Sequence, residues 1–243
     1  MDKIIIRRLL MPLFFYDITY IFVLIGALLS IAASANVQRT FSRYSEVRSG
    51  RGLTGAQAAK IILQKYDITN VSIKPVAGNL TDHYRPSNKT LGLSEPVMDV
   101  NSIAAIGVAA HEVGHAVQHS RGYVPLHVRN AIVPVVNIGS RLSWPIILVG
   151  LLVQESWSQT VLNIGILLFA LTTVFTLITL PVEFNASRRA VAALEDSQIL
   201  NSEELKGTRK VLRAAALTYV AAAAASILSL LRILLLTRSR RRN

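Results

Sequence analysis

The 243-residue sequence contains no cysteine. Disulfide bonds, thiolate nucleophiles and cysteine-ligated zinc or iron–sulfur centres are therefore excluded, and any metal site must use nitrogen and oxygen ligands. Acidic residues are also scarce: 14 Asp and Glu stand against 26 Lys and Arg, which gives a formal net charge of +12. A charge of this sign suits either nucleic acid or an anionic membrane surface.

Long apolar runs favour a membrane over nucleic acid as the partner of this basic chain. Hydrophobic residues make up 51% of the chain, and four stretches approach the ~20 apolar residues that cross a ~30 Å hydrocarbon core. The stretches run from about Leu13 to Ala35, Ala131 to Val153, Val161 to Pro181 and Leu212 to Leu236. An arginine is costly at mid-bilayer. Because Arg141 falls inside the second stretch, we expect that span to start near Ser143, at the end of a helix that begins outside the membrane. The first stretch is too long for the apolar part of a cleaved signal peptide.

The polar residues between the first and second stretches contain several recognisable elements. Thr54 is a plausible N-cap for a helix in LTGAQAAKIILQKY, and VSIKPV alternates like a strand. The segment DHYRPSNKTLGLS places turn-forming residues between two extended arms, which predicts a β-hairpin. The apolar spacing after Pro96 predicts a further helix that ends before Gly122.

That last helix carries the segment VAAHEVGHAV, which places His111, Glu112 and His115 within five residues. On a helix, positions 111 and 115 differ by about 40° in azimuth and about 6 Å in rise, so both imidazoles can reach one metal ion. Glu112 projects about 100° away and can address a water molecule rather than the ion. This is the H-E-x-x-H arrangement of zinc peptidases, in which the glutamate accepts a proton from the water and passes it to the leaving amine.

Three features favour a real site over a chance match to this short pattern. The neighbouring residues are small or apolar, as a buried helix requires. Gly114 costs the helix about 1 kcal/mol relative to alanine, which indicates that another element packs closely against it. Ionisable groups among apolar residues are also expensive unless they are coordinated or paired.

A zinc hydrolase needs a third protein ligand, and the sequence offers several. His119 lies about 12 Å along the helix from His111, too far to share one ion, so we expect it at the surface or supporting the site. Glu183, just beyond the third span in LPVEFNASRRA, is the favoured carboxylate. The competing interpretations are that Glu183 faces water, that it pairs with Arg188 or Arg189, or that the ligand is Glu195 or Asp196.

Several blocks of the sequence resemble, in the same order, the YugP-like family of bacterial membrane zinc metallopeptidases (neutral zinc metallopeptidase 2). The blocks are FFYDITYIF, RYSEVRSGRGLTGAQAA, DHYRPSNKTLGLSEPV, AAHEVGHAVQ, GYVPLHVRNAIVPVVNIGS, LPVEFNASRRA and AALTYVAAAAASILSLLRILL. More distantly, the layout is similar to the HtpX-type membrane proteases, in which the third zinc ligand is a glutamate in an E-x-x-x-D helix. The resemblance implies one zinc ion held by His111, His115 and Glu183, with Glu112 as the catalytic base.

The sequence departs from the HtpX-type pattern at position 187, where serine replaces aspartate. In that pattern the acid would orient a ligating histidine. Ser187, or Asn185 nearby, would have to take over this task.

The resemblance also suggests a purpose for the hairpin. In zinc peptidases of this general architecture, an edge strand beside the metal helix pairs with an extended substrate, and KTLGLS is a candidate for that strand. His83, Tyr84 and Arg85 on the other arm could donate a hydrogen bond to the oxyanion. If the zinc site lacked Glu183, His83 would be the next candidate ligand. An ordinary hairpin without these roles is equally compatible with the sequence.

The sequence therefore predicts a mostly α-helical polytopic membrane protein with about four transmembrane helices and a small zincin-like extramembrane region containing a β-hairpin. The expected divisions are 1–36 (transmembrane), 37–130 (metallopeptidase region), 131–181 (transmembrane pair), 182–211 (extramembrane helix) and 212–243 (transmembrane helix and basic tail). The expected activity is hydrolysis of peptide bonds through a zinc-activated water. The expected partners are a polypeptide substrate, which could be a membrane protein, and the lipid bilayer, with no nucleic acid.

Two other functional classes compete with the peptidase. The first is a catalytically weak zinc-binding scaffold or adaptor, which would not need Glu112. The second is a transporter, which is disfavoured because the histidine pair falls in the polar region rather than in a span. The expected location is the bacterial cell membrane. The positive-inside rule favours a cytoplasmic catalytic face, although the basic tail TRSRRRN argues for the opposite orientation.

Overall fold

The computed structural model describes residues 18–153 and 155–240, except for the side chains of residues 239 and 240. Leu13, where the first predicted span begins, and the last three residues of the basic tail lie outside the described residues. The helices are α1 (Tyr20–Ser45), α2 (Gly55–Lys65), α3 (Glu95–Met98), α4 (Ile103–Ser120), α5 (Val124–Leu152), α6 (Ser158–Asp196) and α7 (Ser202–Arg240). The strands are β1 (Ser72–Val76), β2 (His83–Arg85) and β3 (Thr90–Ser94). The prediction of a mostly α-helical chain with a small β element is confirmed.

Four of these helices, α1, α5, α6 and α7, are long and apolar enough to cross a membrane, as the sequence predicts. The second candidate span belongs to a helix that begins at Val124, well before Ser143. The chain divides into two compact units. The first contains the described residues up to 31, those within 131–177 and those from 221 onward; the second contains residues 32–130 and 178–220.

The first unit packs in the manner of membrane helices. A Cβ added to Gly26 would lie 3.0 Å from Ala225, so the backbones of α1 and α7 approach closely there. The hydroxyls of Thr173 and Ser226 are 2.8 Å apart and join α6 to α7. Small residues and hydroxyl hydrogen bonds are what holds helices together in lipid, where burial of apolar surface supplies little. Large apolar side chains remain exposed on this unit, among them Leu28, Ile138, Leu167 and Leu171.

The second unit has a buried apolar core, as globular domains do, and α2 and α4 contribute to it. The N-terminus of α2 is closed by a capping box, in which the Thr54 side chain accepts from the Gln57 backbone and the Gln57 side chain accepts from the Thr54 backbone. This satisfies two backbone donors that the first turn of a helix otherwise leaves free. Ala58, Ile62 and Leu63 on one face of α2 are buried in the core. The predicted start of this helix at Thr54 is confirmed.

The sheet contains the predicted hairpin, but its strand order contradicts the role expected for KTLGLS. β2 and β3 pair antiparallel, with Tyr84 opposite Leu91. However, β1 pairs parallel with the other side of β3, so the strand order is β1-β3-β2. β3, which contains KTLGLS apart from its first residue, is the central strand. The assignment of KTLGLS as a substrate-pairing edge is therefore wrong, because both its sides are already hydrogen-bonded. The edge strand of the hairpin is β2.

Pro181 lies inside α6 and does not end it. The prediction that a separate helix starts at residue 182 is therefore wrong, and the helix continues to Asp196. Val182, Ala186 and Ala190 recur every four residues beyond the proline and are fully buried. This apolar stripe keeps the helix docked, and its packing outweighs the hydrogen bond that the proline cannot make. The next helix, α7, begins at Ser202 and is also continuous.

Gly114 brings α4 against α6. A Cβ at this position would lie 2.5 Å from the backbone oxygen of Ala186, a distance that real Cβ atoms do not adopt. The expectation that another element packs closely on Gly114 is confirmed. Both helices carry candidate ligands beside this contact, His111 and His115 on α4 and Glu183 on α6.

We therefore expect Gly114→Ala to destabilise the protein by about 1–3 kcal/mol, because the added methyl must push α4 and α6 apart. The measurement is the thermal unfolding midpoint of the full-length protein in detergent. Gly139→Ala in α5 is the matched control, since its Cβ would meet only atoms 3.6 Å away or more. A midpoint for Gly114→Ala at or above that of the control would contradict the close approach.

Candidate metal centre

The side chains of His111, His115 and Glu183 converge in the second unit. One ligand atom from each lies within 4.8 Å of the others. Oε2 of Glu183 is 3.2 Å from Nε2 of His111 and 3.5 Å from Nε2 of His115. Ligand atoms about 2.0–2.1 Å from a tetrahedral zinc ion are separated by about 3.3 Å. The two distances from Glu183 to the imidazoles are therefore those of ligands around one ion.

Each imidazole is oriented by a hydrogen bond at its other nitrogen. Nδ1 of His111 lies 3.1 Å from the Ser187 hydroxyl, and Nδ1 of His115 lies 3.0 Å from Oε1 of Gln118. With Nδ1 engaged in this way, Nε2 of each ring faces Glu183. Such outer contacts fix the tautomer and the ring orientation of metal-ligating histidines. Ser187 thus occupies the position expected of a residue that replaces the aspartate.

Gln118 is fully buried, and its environment fixes which way its amide points. Its Nε2 donates to the backbone oxygen of Val182 at 2.8 Å and to Oδ1 of Asn185 at 3.0 Å. A carbonyl oxygen can only accept, so the amide nitrogen must face Val182 and the amide oxygen must face His115. His115 therefore donates from Nδ1, which leaves the lone pair of Nε2 free for a metal ion. Asn185 also accepts from Nε of Arg189 at 2.7 Å.

Glu112 lines the same cavity as His115 and Glu183, and it makes none of the contacts described above. The cavity has a volume of about 130 Å³ and is lined by Glu112, His115, Glu183, Arg129 and Tyr219, among others. This volume holds several water molecules. A water in this cavity can therefore lie beside both the Glu112 carboxylate and the histidine–glutamate group.

Arg129 and Tyr219 also belong to the site, although their positions in the sequence do not indicate it. A guanidinium nitrogen of Arg129 lies 3.7 Å from Oε1 of Glu183, the oxygen that does not face the imidazoles. Tyr219 also interacts with Glu183 and Glu112. Both residues bring hydrogen-bond donors to the cavity. Of the donors proposed from the hairpin, His83 and Tyr84 line the cavity, whereas Arg85 is exposed and is not among its lining residues.

Tyr84 and His119 link β2 to α4, the helix that carries the two histidines. The Tyr84 hydroxyl lies 2.9 Å from Nδ1 of His119. Burial raises the pKa of Tyr84. Burial also lowers the pKa of His119, and the neighbouring charges of His127 and Lys89 lower it further. Both groups are therefore neutral at neutral pH, and their hydrogen bond holds the edge strand beside the helix. His119 supports the site without belonging to the ligand group.

Asp82 fixes the start of the same strand. Its two carboxylate oxygens accept from the backbone N–H and the hydroxyl of Ser94, at 2.7 and 2.8 Å. Charge-assisted bonds of this kind are shorter and stronger than neutral ones. Since Ser94 ends β3, Asp82 ties the entry of β2 to the end of the central strand. β2 is thus held at both its entry and its middle residue.

The electrostatic environment of His115 favours a bound cation. Burial alone lowers the pKa of His115, but the carboxylates of Glu183 and Glu112 more than offset this, and the pKa lies above its ordinary value. A proton is thus attracted to a position where a metal ion would also be attracted. The donor set, with two imidazoles and one carboxylate, is the one that catalytic zinc uses.

The competing assignments for Glu183 do not match the structure. It interacts with the two histidines, Arg129 and Tyr219, not with Arg188 or Arg189, and it is 2% exposed rather than facing water. Glu195 pairs with Arg209 at the surface, and Asp196 is exposed. Neither belongs to the histidine–glutamate group.

One signal in the sequence could have identified Gln118. It is the polar residue three positions after His115, where side chains on a helix lie side by side. Arg129 and Tyr219 carry no comparable signal, because their proximity to Glu183 depends on the packing of distant helices.

Comparison with known proteins agrees with this site. The family model described as "Putative neutral zinc metallopeptidase" matches residues 19–238. The chain is 45% identical over 218 residues to a Bacillus subtilis (strain 168) protein described as "Putative membrane protease YugP", which covers 89% of this chain and 96% of that protein. No solved structure shows significant similarity to it. The chain belongs to the neutral zinc metallopeptidase family that matches residues 19–238.

Proposed function

We propose that the protein is a membrane-bound zinc endopeptidase that hydrolyses peptide bonds with Glu112 as its catalytic base. The observation that carries this proposal is the convergence of His111, His115 and Glu183, with Glu112 lining the same cavity. A scaffold that used the metal only for structure would need no carboxylate beside an open cavity. The geometry therefore favours catalysis over the adaptor alternative.

One zinc ion would be held by Nε2 of His111, Nε2 of His115 and Oε2 of Glu183. A zinc ion with three protein ligands and an open position supplies Lewis acidity, which makes a water molecule acidic enough to react near neutral pH. Ser187 and Gln118 keep the imidazoles aimed at the ion. Arg129 holds the remaining oxygen of Glu183 and so fixes the rotation of that carboxylate.

Glu112 would accept the proton of the attacking water and deliver it to the leaving amine. The substrate carbonyl oxygen gains negative charge in the same step and needs hydrogen-bond donors. The Arg129 guanidinium and the Tyr219 hydroxyl line the cavity beside Glu183 and would supply these hydrogen bonds.

The position of β2 supports an extended polypeptide as the substrate. β2 is an edge of the sheet, and its residues His83 and Tyr84 line the cavity that Glu112 also lines. An extended peptide can pair with such an edge and present its backbone carbonyl to the site. Asp82 and the Tyr84–His119 contact hold the edge in place for this purpose.

We further propose that the site faces the cytoplasm of a bacterial cell. Four spans place residues 36–130 and 182–211 on one side of the membrane, and positive charge near the span ends favours the cytoplasmic side. The cations on that side are Arg39, Arg43, Arg48, Arg129, Arg188, Arg189, Lys206, Arg209 and Lys210. The segment QESWSQ between the second and third spans has none.

The role of Glu112 is tested by Glu112→Gln. The variant should retain zinc but lose peptidase activity on the order of 10²- to 10⁴-fold, because the amide cannot accept the proton of water. The measurements are zinc content of the purified protein and cleavage of an unstructured polypeptide. Turnover near that of the wild type would rule out this mechanism. Absence of zinc-dependent cleavage by the wild type would favour the scaffold.

The role of Glu183 is tested by Glu183→Ala. Removing the carboxylate takes away one of three ligands, so both zinc content and activity should fall. Glu195→Ala is the matched control, because Glu195 is an exposed glutamate on the same helix, and it should leave both unchanged. Zinc bound to Glu183→Ala at wild-type affinity would show that the third ligand lies elsewhere.

The orientation is tested with single cysteines, since the chain has none of its own. Asn88→Cys places a thiol in the exposed turn between β2 and β3, and Ser156→Cys places one between the second and third spans. An impermeant maleimide added to intact cells should label Cys at position 156 and not at position 88. Efficient labelling of the Asn88→Cys variant without permeabilisation would reverse the assignment.

A further inference from the structure

A second cavity lies between α1 and α7, away from the metal centre and within the second unit. Its volume is about 330 Å³, and Arg39, Arg43, Lys210 and Arg213 line it together with Tyr44 and Leu217. The volume falls in the ~300–1,000 Å³ range of small-molecule sites. The cavity can therefore take a polar group larger than a single ion.

The four cations of this cavity, which we call the basic cleft, have no acidic partner. No carboxylate lines the basic cleft, and in the described part of the chain none of the four cations forms an ion pair. Two other cations on α7 behave differently, since Lys206 pairs with Glu203 and Arg209 pairs with Glu195. Four like charges around one cavity repel each other, and a bound anion would relieve that repulsion.

The sequence places the basic cleft at the polar ends of two apolar stretches. Arg39 and Arg43 follow the apolar stretch of α1, and Lys210 and Arg213 immediately precede the alanine- and leucine-rich stretch of α7. Both helices are candidate membrane spans. An anion that reaches cations at the end of a membrane span is most readily a lipid headgroup.

The remaining lining residues suit an amphipathic ligand. Leu217 lies one turn further into the apolar stretch of α7 than Arg213 and is 48% exposed. The guanidinium of Arg43 lies 5.6 Å from the centre of the Tyr44 ring, which restricts its position. The basic cleft thus offers cations for a phosphate and an exposed apolar side chain for the hydrocarbon beside it.

We propose that the basic cleft formed by Arg39, Arg43, Lys210 and Arg213 binds the phosphate-bearing headgroup of an anionic phospholipid. This site is separate from the metal centre, and its existence does not depend on the peptidase activity. It would tie the second unit to the membrane through a specific lipid in addition to the apolar spans.

The test measures lipid selectivity of the purified full-length protein in neutral detergent by native mass spectrometry. Wild type should retain phosphatidylglycerol in preference to phosphatidylcholine. In Arg39→Gln/Arg213→Gln this preference should fall about tenfold or more, because two of four attractive charges are removed. The matched control is Lys206→Gln/Arg209→Gln, which also removes two positive charges from the protein but outside the basic cleft, and it should keep the wild-type preference.

Three outcomes would overturn the proposal. The first is a double variant in the basic cleft that keeps the wild-type preference, and the second is a control that loses it equally. The third is displacement of the lipid by millimolar inorganic phosphate, which would indicate a general phosphate site. Zinc content and the thermal midpoint establish that each variant is folded. If the double variant does not fold, Arg39→Gln and Arg213→Gln are measured singly, and each must lower the preference.

Discussion

The closeness of α4 to α6 at Gly114 is the constraint on which the metal centre depends. With no side chain at this position, the helix backbone rests against the backbone oxygen of Ala186. One turn before and one residue after Gly114 stand the two histidines, and flanking Ala186 stand Glu183 and Ser187. A helix pair held further apart by even one methyl group would separate a ligand from its ion, since zinc–ligand distances tolerate only about 0.2 Å. Gly114 lowers the intrinsic stability of α4. Its lack of a side chain lets α4 and α6 approach closely enough for these groups to bind one ion.

The same helix contact explains why the hydrogen-bond partners of both imidazoles depend on α6. Ser187 reaches His111 directly, whereas Gln118 reaches His115 and is itself fixed by Val182 and Asn185. Each partner of the imidazoles is thus anchored by the element that also supplies Glu183. A displacement of α6 would disturb the third ligand and both orienting contacts together, which makes the arrangement cooperative.

The parts of the fold that the sequence predicts are those set by local chemistry. Thr54 and Gln57 cap a helix through neighbouring residues, and the spacing of His111 and His115 follows from helix geometry alone. Glu183 can also be predicted, because two of the expected membrane crossings separate it from the histidines and an even number of crossings returns the chain to the same side. The errors concern long-range packing. The parallel pairing of β1 made β3 central, and the buried stripe from Val182 to Ala190 carried α6 past Pro181. Arg129 and Tyr219 were missed for the same reason.

The hydroxyl of Ser187 performs one of the two tasks that an aspartate at this position could perform. A carboxylate that contacts a ligating histidine both orients the ring and raises its basicity. Ser187 and Gln118 orient the rings but carry no charge, so they raise the basicity of the rings less than a carboxylate would. The negative charge nearest the imidazoles then comes from Glu183 and Glu112, and Arg129 opposes part of it. With neutral partners on Nδ1, the imidazoles would donate less electron density to a zinc ion, which would leave that ion better able to activate water.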